Sequence, residues 1–244
     1  MVNAVAQRSA RRSVTIVAVA VVLGLLAFAA DAVDGMAGQL MIVVVSSGLA
    51  WGSAALLAGR SAPDRRRAMT GATVLLVCAT LVYYLLILVV SRRWSGGTLV
   101  DGSSGDWHGL RSLAIMTTAW LLVSVVAGPS LGLLGHLTRT ARLPSAALAA
   151  GAACGALSGQ GWLTVTAAPP WLIWTYDGPD AALVRGFIAA KLIEVVVPLA
   201  LLAWLATAHR LWRAWPLMLS ATALTATLSA LAWRFLHTAA NQLG

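Results

Sequence analysis

Lys191 and Glu194 are the only lysine and the only glutamate in the chain. Three residues apart, they lie on one face of a helix. Both fall within one long apolar run, 187–208. A charge inside a membrane-length helix is expensive and turns toward protein or a wet cavity. Around this pair the sequence offers three further carboxylates, Asp31, Asp34 and Asp177, and an aromatic set of Tyr83, Tyr84, Trp120, Trp162, Trp171, Trp174 and Tyr176, with Gln160 among them. Carboxylates beside tryptophan and tyrosine faces suit carbocation chemistry. An acid protonates an alkene or epoxide, and the π-faces stabilise the travelling cation without attacking it. Lys191 makes Glu194 an electrostatic stabiliser or positioner rather than the proton donor. The expected donor is Asp34, then Asp177, then Asp31. Lys191, Gln160, Tyr83, Tyr84, Trp120, Trp162, Trp171 and Trp174 are the expected substrate-binding groups.

The elements that must position these residues are membrane-length helices. The chain is 59% hydrophobic and 10% charged, with a mean hydropathy of +0.83, outside the range of soluble domains. Seven apolar runs, 14–30, 39–58, 70–90, 113–135, 145–168, 187–208 and 216–236, approach or reach the roughly 20 residues that cross a bilayer. The expectation is an all-α integral-membrane bundle of seven transmembrane helices, one domain over residues 1–244. The longest connection, 91–112, holds no soluble domain. Run 14–30 follows Arg8, Arg11 and Arg12 and ends in Ala-Phe-Ala-Ala, which also suits a signal peptide; its retention is expected, because the alternation of the loops needs it.

Orientation follows the arginines. With seven spans, eleven arginines fall in the N-terminal segment and the second, fourth and sixth loops, against Arg92, Arg93, Arg111, Arg185 and Arg234 on the other side. Aspartate segregates oppositely, with Asp31, Asp34, Asp101, Asp106, Asp177 and Asp180 on the arginine-poor side and Asp64 alone on the other. The expected localisation is the cell membrane, multi-pass, with a cytoplasmic N-terminus and an extracytoplasmic C-terminus. The net charge of +9 is spread over short loops, so no nucleic-acid partner is expected.

Cys78 and Cys154 each lie in a run without CxxC spacing and read as two buried thiols, an interhelical disulfide being the alternative. His108, His136, His209 and His237 lack metal spacing. No metal and no cofactor is expected. Gly151-Gly155-Gly159, Gly128-Gly132 and Gly48-Gly52 let helices approach closely; contact within the chain is the first reading and a homo-oligomer the alternative. Pro129 and Pro198 should kink their helices. Ser158-Gly159-Gln160-Gly161 followed by Pro169-Pro170 makes the outer end of the fifth helix easy to break, and broken helix ends near membrane depth usually line a cavity.

At ~1.5 Å per residue, Lys191 and Glu194 lie roughly 6 and 10 Å in from the outer end of the sixth helix. The other unusual residues fall in the same layer. One outer-half pocket is expected, roofed by loop 169–180. Tyr83 and Tyr84 project ~100° apart, so at most one should face it. Plainer readings stand beside these. Lys191–Glu194 serves equally as a structural ion pair, Trp162, Trp171 and Trp174 as an interfacial belt, and Asp31 and Asp34 as a helix end in water.

The segment Ser46-Ser47-Gly48-Leu49-Ala50-Trp51-Gly52, with Gly59-Arg60, Tyr83-Tyr84 and Ala127-Gly128-Pro129-Ser130-Leu131-Gly132, resembles an actinobacterial membrane-protein family of unassigned function, over roughly residues 38–161. That family supplies no catalytic residues. In size and layout the chain is similar to the integral-membrane terpene cyclases of meroterpenoid and indole-terpenoid secondary metabolism. That resemblance implies a metal-independent isomerase or lyase: acid-initiated cyclisation of a prenylated aromatic or indole-type substrate that enters from the lipid. The alternative is a small membrane transporter or substrate-binding membrane subunit. No nucleotide-binding GxxxxGK[ST] loop is present, and no internal repeat supports inverted transporter halves.

Overall fold

The apolar runs fold as helices. The computed structural model describes residues 2–98, 104–167, 170–175, 177–178 and 181–243. Among them the only extended pairing is the isolated bridge between Thr98 and Ser104. Asp101, Tyr176 and Asp180, with part of the expected roof loop, lie outside the described residues.

Helix α1 runs Val2–Ala30. The second apolar run, expected as one helix, is broken. It forms α2 (Gly35–Met41), a π-helical turn (Ile42–Ser46) and α3 (Gly48–Arg60). The break follows from local chemistry. Val43-Val44-Val45 is β-branched and stiff in a helix, and Ser47 after it bonds the backbone two residues on. Ser47 is extended (φ −74°, ψ 160°) and caps α3, its Oγ accepting from Leu49 N–H. Trp51 Nε1 donates to the Val45 carbonyl at 2.8 Å, which occupies an acceptor at the break. Ser46 Oγ ties it to α1 through the Ala27 carbonyl.

Asp64 caps α4 (Arg65–Leu86) by accepting from Arg67 N–H. A π turn, Ile87–Ser91, extends α4 to Arg92 in the left-handed region (φ 47°). Helices α5 (Asp106–Thr140) and α6 (Leu143–Ala167) follow, then the short α7 (Leu172–Thr175) and α8 (Ala181–Ala208). A 3₁₀ turn, Leu211–Ala214, leads into α9 (Trp215–Leu243). Pro129 and Pro198 lie inside α5 and α8, which remain single helical elements through them.

Five helices among the described residues are long and apolar enough to cross a membrane: Arg11–Ala30, Arg65–Ser91, Asp106–Thr140, Val184–Ala208 and Leu211–Phe235. Helix α6 is rich in alanine and glycine, and the second run is cut at Ser47. Neither is among the five.

Two cores hold the helices. One joins α1, α3, α4 and α5 through Ala20, Ala55, Ala72, Leu75, Ala79 and Leu131. The other joins α6, α8 and α9 through Ala150, Cys154, Leu202, Leu205 and Met218, with Leu56 of α3. Cys78 packs against the first core and Cys154 lies in the second; both thiols are free. Of the glycines in these stripes all but Gly48 sit at close contacts within the chain. Gly151, Gly155 and Gly159 face Met218, Thr222, Thr225 and Ser229 of α9, and Gly59 meets the Gly132 backbone.

Residues 158–161 stay helical, and α6 continues to Ala167, close to the end expected for the run. Its glycines are used for approach: a side chain at Gly159 would strike Ser229, and one at Gly161 would strike Val195 and Glu194. The interruption falls at Ser47 instead.

Candidate functional site

The break in the second run opens onto a cavity of ≈ 200 Å³ between α1, α3, α4 and α5. Ser46, Ser47 and Gly48 line it at the break, Thr80, Tyr83 and Tyr84 from α4, Trp120 and Ser124 from α5, and Trp51 from α3. The wall is chiefly apolar, with hydroxyls at a few points. Thr80 Oγ1 and Ser124 Oγ lie 3.2 Å apart between α4 and α5.

Both tyrosines line the cavity, against the expectation that at most one could. Their rings meet edge to face, centroids 5.0 Å apart and planes at 81°. Side chains leaving the helix ~100° apart can therefore both border one space. Tyr83 O–H donates to Asp31 Oδ2 at 2.5 Å. Arg93 donates to the same oxygen at 3.2 Å and to the Asp31 carbonyl at 3.1 Å. Asp31 thus anchors a three-residue network that joins the turn after α1, α4 and the chain after α4.

The other expected groups do not join this cavity. Asp34 is exposed. Asp177 is paired with Arg185 at 2.9 Å, with its side chain 86% exposed. Trp171 and Trp174 are exposed. Trp162 lines a separate open groove of ≈ 540 Å³ between α6, α8 and α9, with Thr166, Leu199 and Arg234. Gln160 is half-buried on α6, next to Gly161. The single pocket read from depth therefore divides, because residues at one depth lie on helices that face different neighbours.

Lys191 and Glu194 form a third place. Lys191 Nζ donates to Glu194 Oε1 at 2.9 Å. The side chains are 12% and 2% exposed, so the pair faces the interior of the bundle. Lys191 Nζ also lies 5.9 Å from the centre of the Phe187 ring. Glu194 packs across Gly161, where an added Cβ would lie 2.9 Å from Glu194 Cβ. Its second oxygen, Oε2, is buried without a hydrogen-bond partner. Neither residue lines the aromatic cavity.

Residues that sequence reasoning did not place in a site include Trp51, Thr80, Ser124 and Arg93. For Trp51 a signal existed: the serine pair followed by Gly-Leu-Ala-Trp reads as a helix start, which turns Trp51 back toward the break. For Arg93 there was none, since its partner Asp31 is 62 residues away. No group of three or more His, Cys, Asp or Glu side chains among the described residues is arranged to hold a metal ion. No family model, curated protein or solved structure matches this chain.

Proposed function

We propose that this chain is an integral-membrane protein that takes a small apolar molecule, or the apolar end of a larger one, from the lipid phase into the cavity beside Ser47. The reading carries with it seven membrane crossings, the α2–α3 pair counting as one and α6 as another, with the Arg12 end cytoplasmic. The observation that supports it most is the ring of Trp51, Tyr83, Tyr84 and Trp120 around an interrupted helix. Non-helical backbone at membrane depth is tolerated where it lines a cavity. Rigid aromatic faces with a few hydroxyls are the usual lining of a small-molecule site. Size narrows the ligand. Pockets for drug-sized molecules run from about 300 Å³ upward, so ≈ 200 Å³ suits a single ring or a short prenyl unit. A substrate-binding membrane subunit or small transporter fits this better than an enzyme enclosing a whole prenylated indole.

Isoprenoid cyclisation is the second reading, favoured by the same aromatic faces, which stabilise cations. No carboxylate is among the lining residues. Asp31 accepts from both Tyr83 and Arg93, an arrangement better suited to holding a phenol proton or receiving one at the end of a cation cascade than to starting it.

The test is photo-crosslinking of the full chain in lipid nanodiscs with a diazirine-bearing prenyl alcohol, followed by peptide mapping. The expected labels lie on the peptides holding Trp51, Tyr83 and Trp120. Ser124→Trp, which fills the cavity, should abolish them. Labelling confined to the Trp162 groove, or unchanged by the filling substitution, removes the proposal. Incubation of the same membranes with prenylated indoles, read by retention as well as mass, tests cyclisation; no new isomer removes that reading.

A further inference from the structure

At the end of the bundle opposite Asp31, arginines gather around the α3–α4 connection. Arg12 of α1 donates through Nη2 to the Ala58 carbonyl at 3.1 Å. Arg139 of α5 donates through Nη2 to the Ala62 carbonyl at 2.7 Å. Arg60, the last residue of α3, meets His209 Nε2 at 2.9 Å and lies 4.5 Å over the Trp204 ring of α8. Arg139 lies within electrostatic reach of both other guanidiniums. Arg139 acts on Arg12, Arg60 and His209, and Arg67 acts on Arg12. The acid that acts on Arg12, Asp64, is already engaged by Arg67, at 3.4 Å from its Nε and 2.8 Å from its backbone N–H.

Orientation in a membrane accounts for arginines in water at this end, and Arg65, Arg66, Arg142, Arg210 and Arg213 are exposed as that requires. It does not account for half-buried ones with unused donors. Arg12 Nε and Nη1 and Arg60 Nε are buried with no hydrogen-bond partner. So is Nδ1 of His136, a buried side chain one turn before Arg139 on α5. A buried donor without an acceptor costs the full desolvation of that group, more when it is charged. Three like charges add repulsion. One anion with several acceptor oxygens relieves both.

We propose that Arg12, Arg60 and Arg139 form a binding site for a phosphoryl anion, supplied by the headgroup of an anionic phospholipid or by a free phosphate. Guanidinium donors and phosphoryl oxygens make short, charge-assisted hydrogen bonds. The site is independent of the aromatic cavity, which lies between the same helices toward their other end.

The experiment uses the purified full chain in detergent. Native mass spectrometry reads retention of phosphatidylglycerol against phosphatidylcholine, and thermal unfolding reads the effect of inorganic phosphate. Wild type should retain phosphatidylglycerol in preference, or be stabilised by phosphate. Lipid preference without a phosphate effect assigns a headgroup, and phosphate stabilisation that displaces the lipid assigns a free anion. Arg12→Gln or Arg139→Gln should each weaken binding about tenfold, the scale of one hydrogen bond to a charged group. Arg111→Gln, in the opposite set of arginines, should not. Arg139 is exposed, so its variant keeps the test usable if Arg12→Gln does not fold. Neither lipid preference nor phosphate stabilisation, no effect of Arg139→Gln, or an equal loss from Arg111→Gln overturns the site.

Discussion

Glu194 has two carboxylate oxygens and one hydrogen bond, from Lys191. A buried ion pair is held as much by the cost of breaking it as by its own attraction. Removing one partner of such a pair costs about 3–5 kcal/mol, whereas replacing both with apolar groups of similar size is often neutral. Glu194→Gln leaves the Lys191 charge without an anion, though the amide oxygen still accepts, so a loss at or below the lower end of that range is expected. Lys191→Met with Glu194→Met, both apolar and of similar size, should recover most of it. Asp64→Asn should cost little, because asparagine caps a helix about as well as aspartate. Thermal unfolding of the three variants in one detergent checks the order. A double variant weaker than Glu194→Gln alone would show that the pair does more than compensate itself. At this scale the sequence was legible where residue type is rare. The lone lysine and glutamate, and the adjacent tyrosines, were visible as unusual before any fold was known. Asp34 and Asp177 were not separable from Asp31, because depth along a helix says nothing about which neighbour the face meets, and only Asp31 has Tyr83 and Arg93 beside it.

The helices themselves were legible because apolar length is a one-dimensional property. Their interruptions were not. Both 158–161 and 46–48 combine serine with glycine, and which one breaks depends on what lies across from it. The α6 glycines face α9 and α8 at backbone distance, and the helix runs unbroken between these neighbours. Ser47 faces a cavity, and its side chain starts a new helix instead. Close approach makes a sharp prediction at Gly59, where an added Cβ would meet the Gly132 carbonyl and Cα. Backbone cannot move aside as a side-chain tip can. Gly59→Ala should destabilise by at least the about 1–3 kcal/mol typical of overpacking, while Gly48→Ala, with nothing within 4 Å of the added Cβ, should not show that packing cost. Chemical denaturation of the two variants measures the contrast. The same end of α3 carries a pH dependence. His209 is held below its ordinary value of 6.5, first by burial and then by Arg60 and Arg139. It meets Arg60 Nη2 through Nε2, which suits the neutral ring as acceptor. Just below pH 6.5 the unfolded chain takes the proton and the folded chain does not. Stability therefore falls as pH drops from about 6.5 toward the lower folded value, then levels. The slope should be a fraction of the about 1.4 kcal/mol per pH unit set by one whole proton. His209→Gln should remove it; an unchanged slope would place the titration elsewhere.

For the whole molecule, the useful fact is which loops meet. Arg12, Ala58, Arg60, Ala62, Arg139 and His209 are joined by hydrogen bonds at one end of the bundle. Asp31, Tyr83 and Arg93 are joined at the other. These two groups are also the ones that arginine counting separates. What charge could not supply was the division of the helices into two cores, since alanine and glycine contacts carry no pattern that distinguishes one partner helix from another. The flanks are apolar and open: Leu122, Val126, Leu224 and Phe235 are each more than 60% exposed. Such a surface demands a cover, and the proposed membrane setting supplies one in lipid. From Arg12 the chain passes to Asp31, returns through the broken segment to Arg60, goes out along α4 and back along α5 to Arg139. Helices α6 and α8 make one more excursion to His209, and α9 leaves again. On the proposed membrane reading, that path makes an odd number of crossings, with the C-terminus away from the arginine-rich end. Reporter fusions at Arg66 and Asp106 should therefore report opposite compartments, Arg66 inside, and a fusion after Leu243 should agree with Asp106. If Arg66 and Asp106 report one side, α4 does not cross. The aromatic cavity would then lose its access from the lipid, and the binding proposal would fall with the topology.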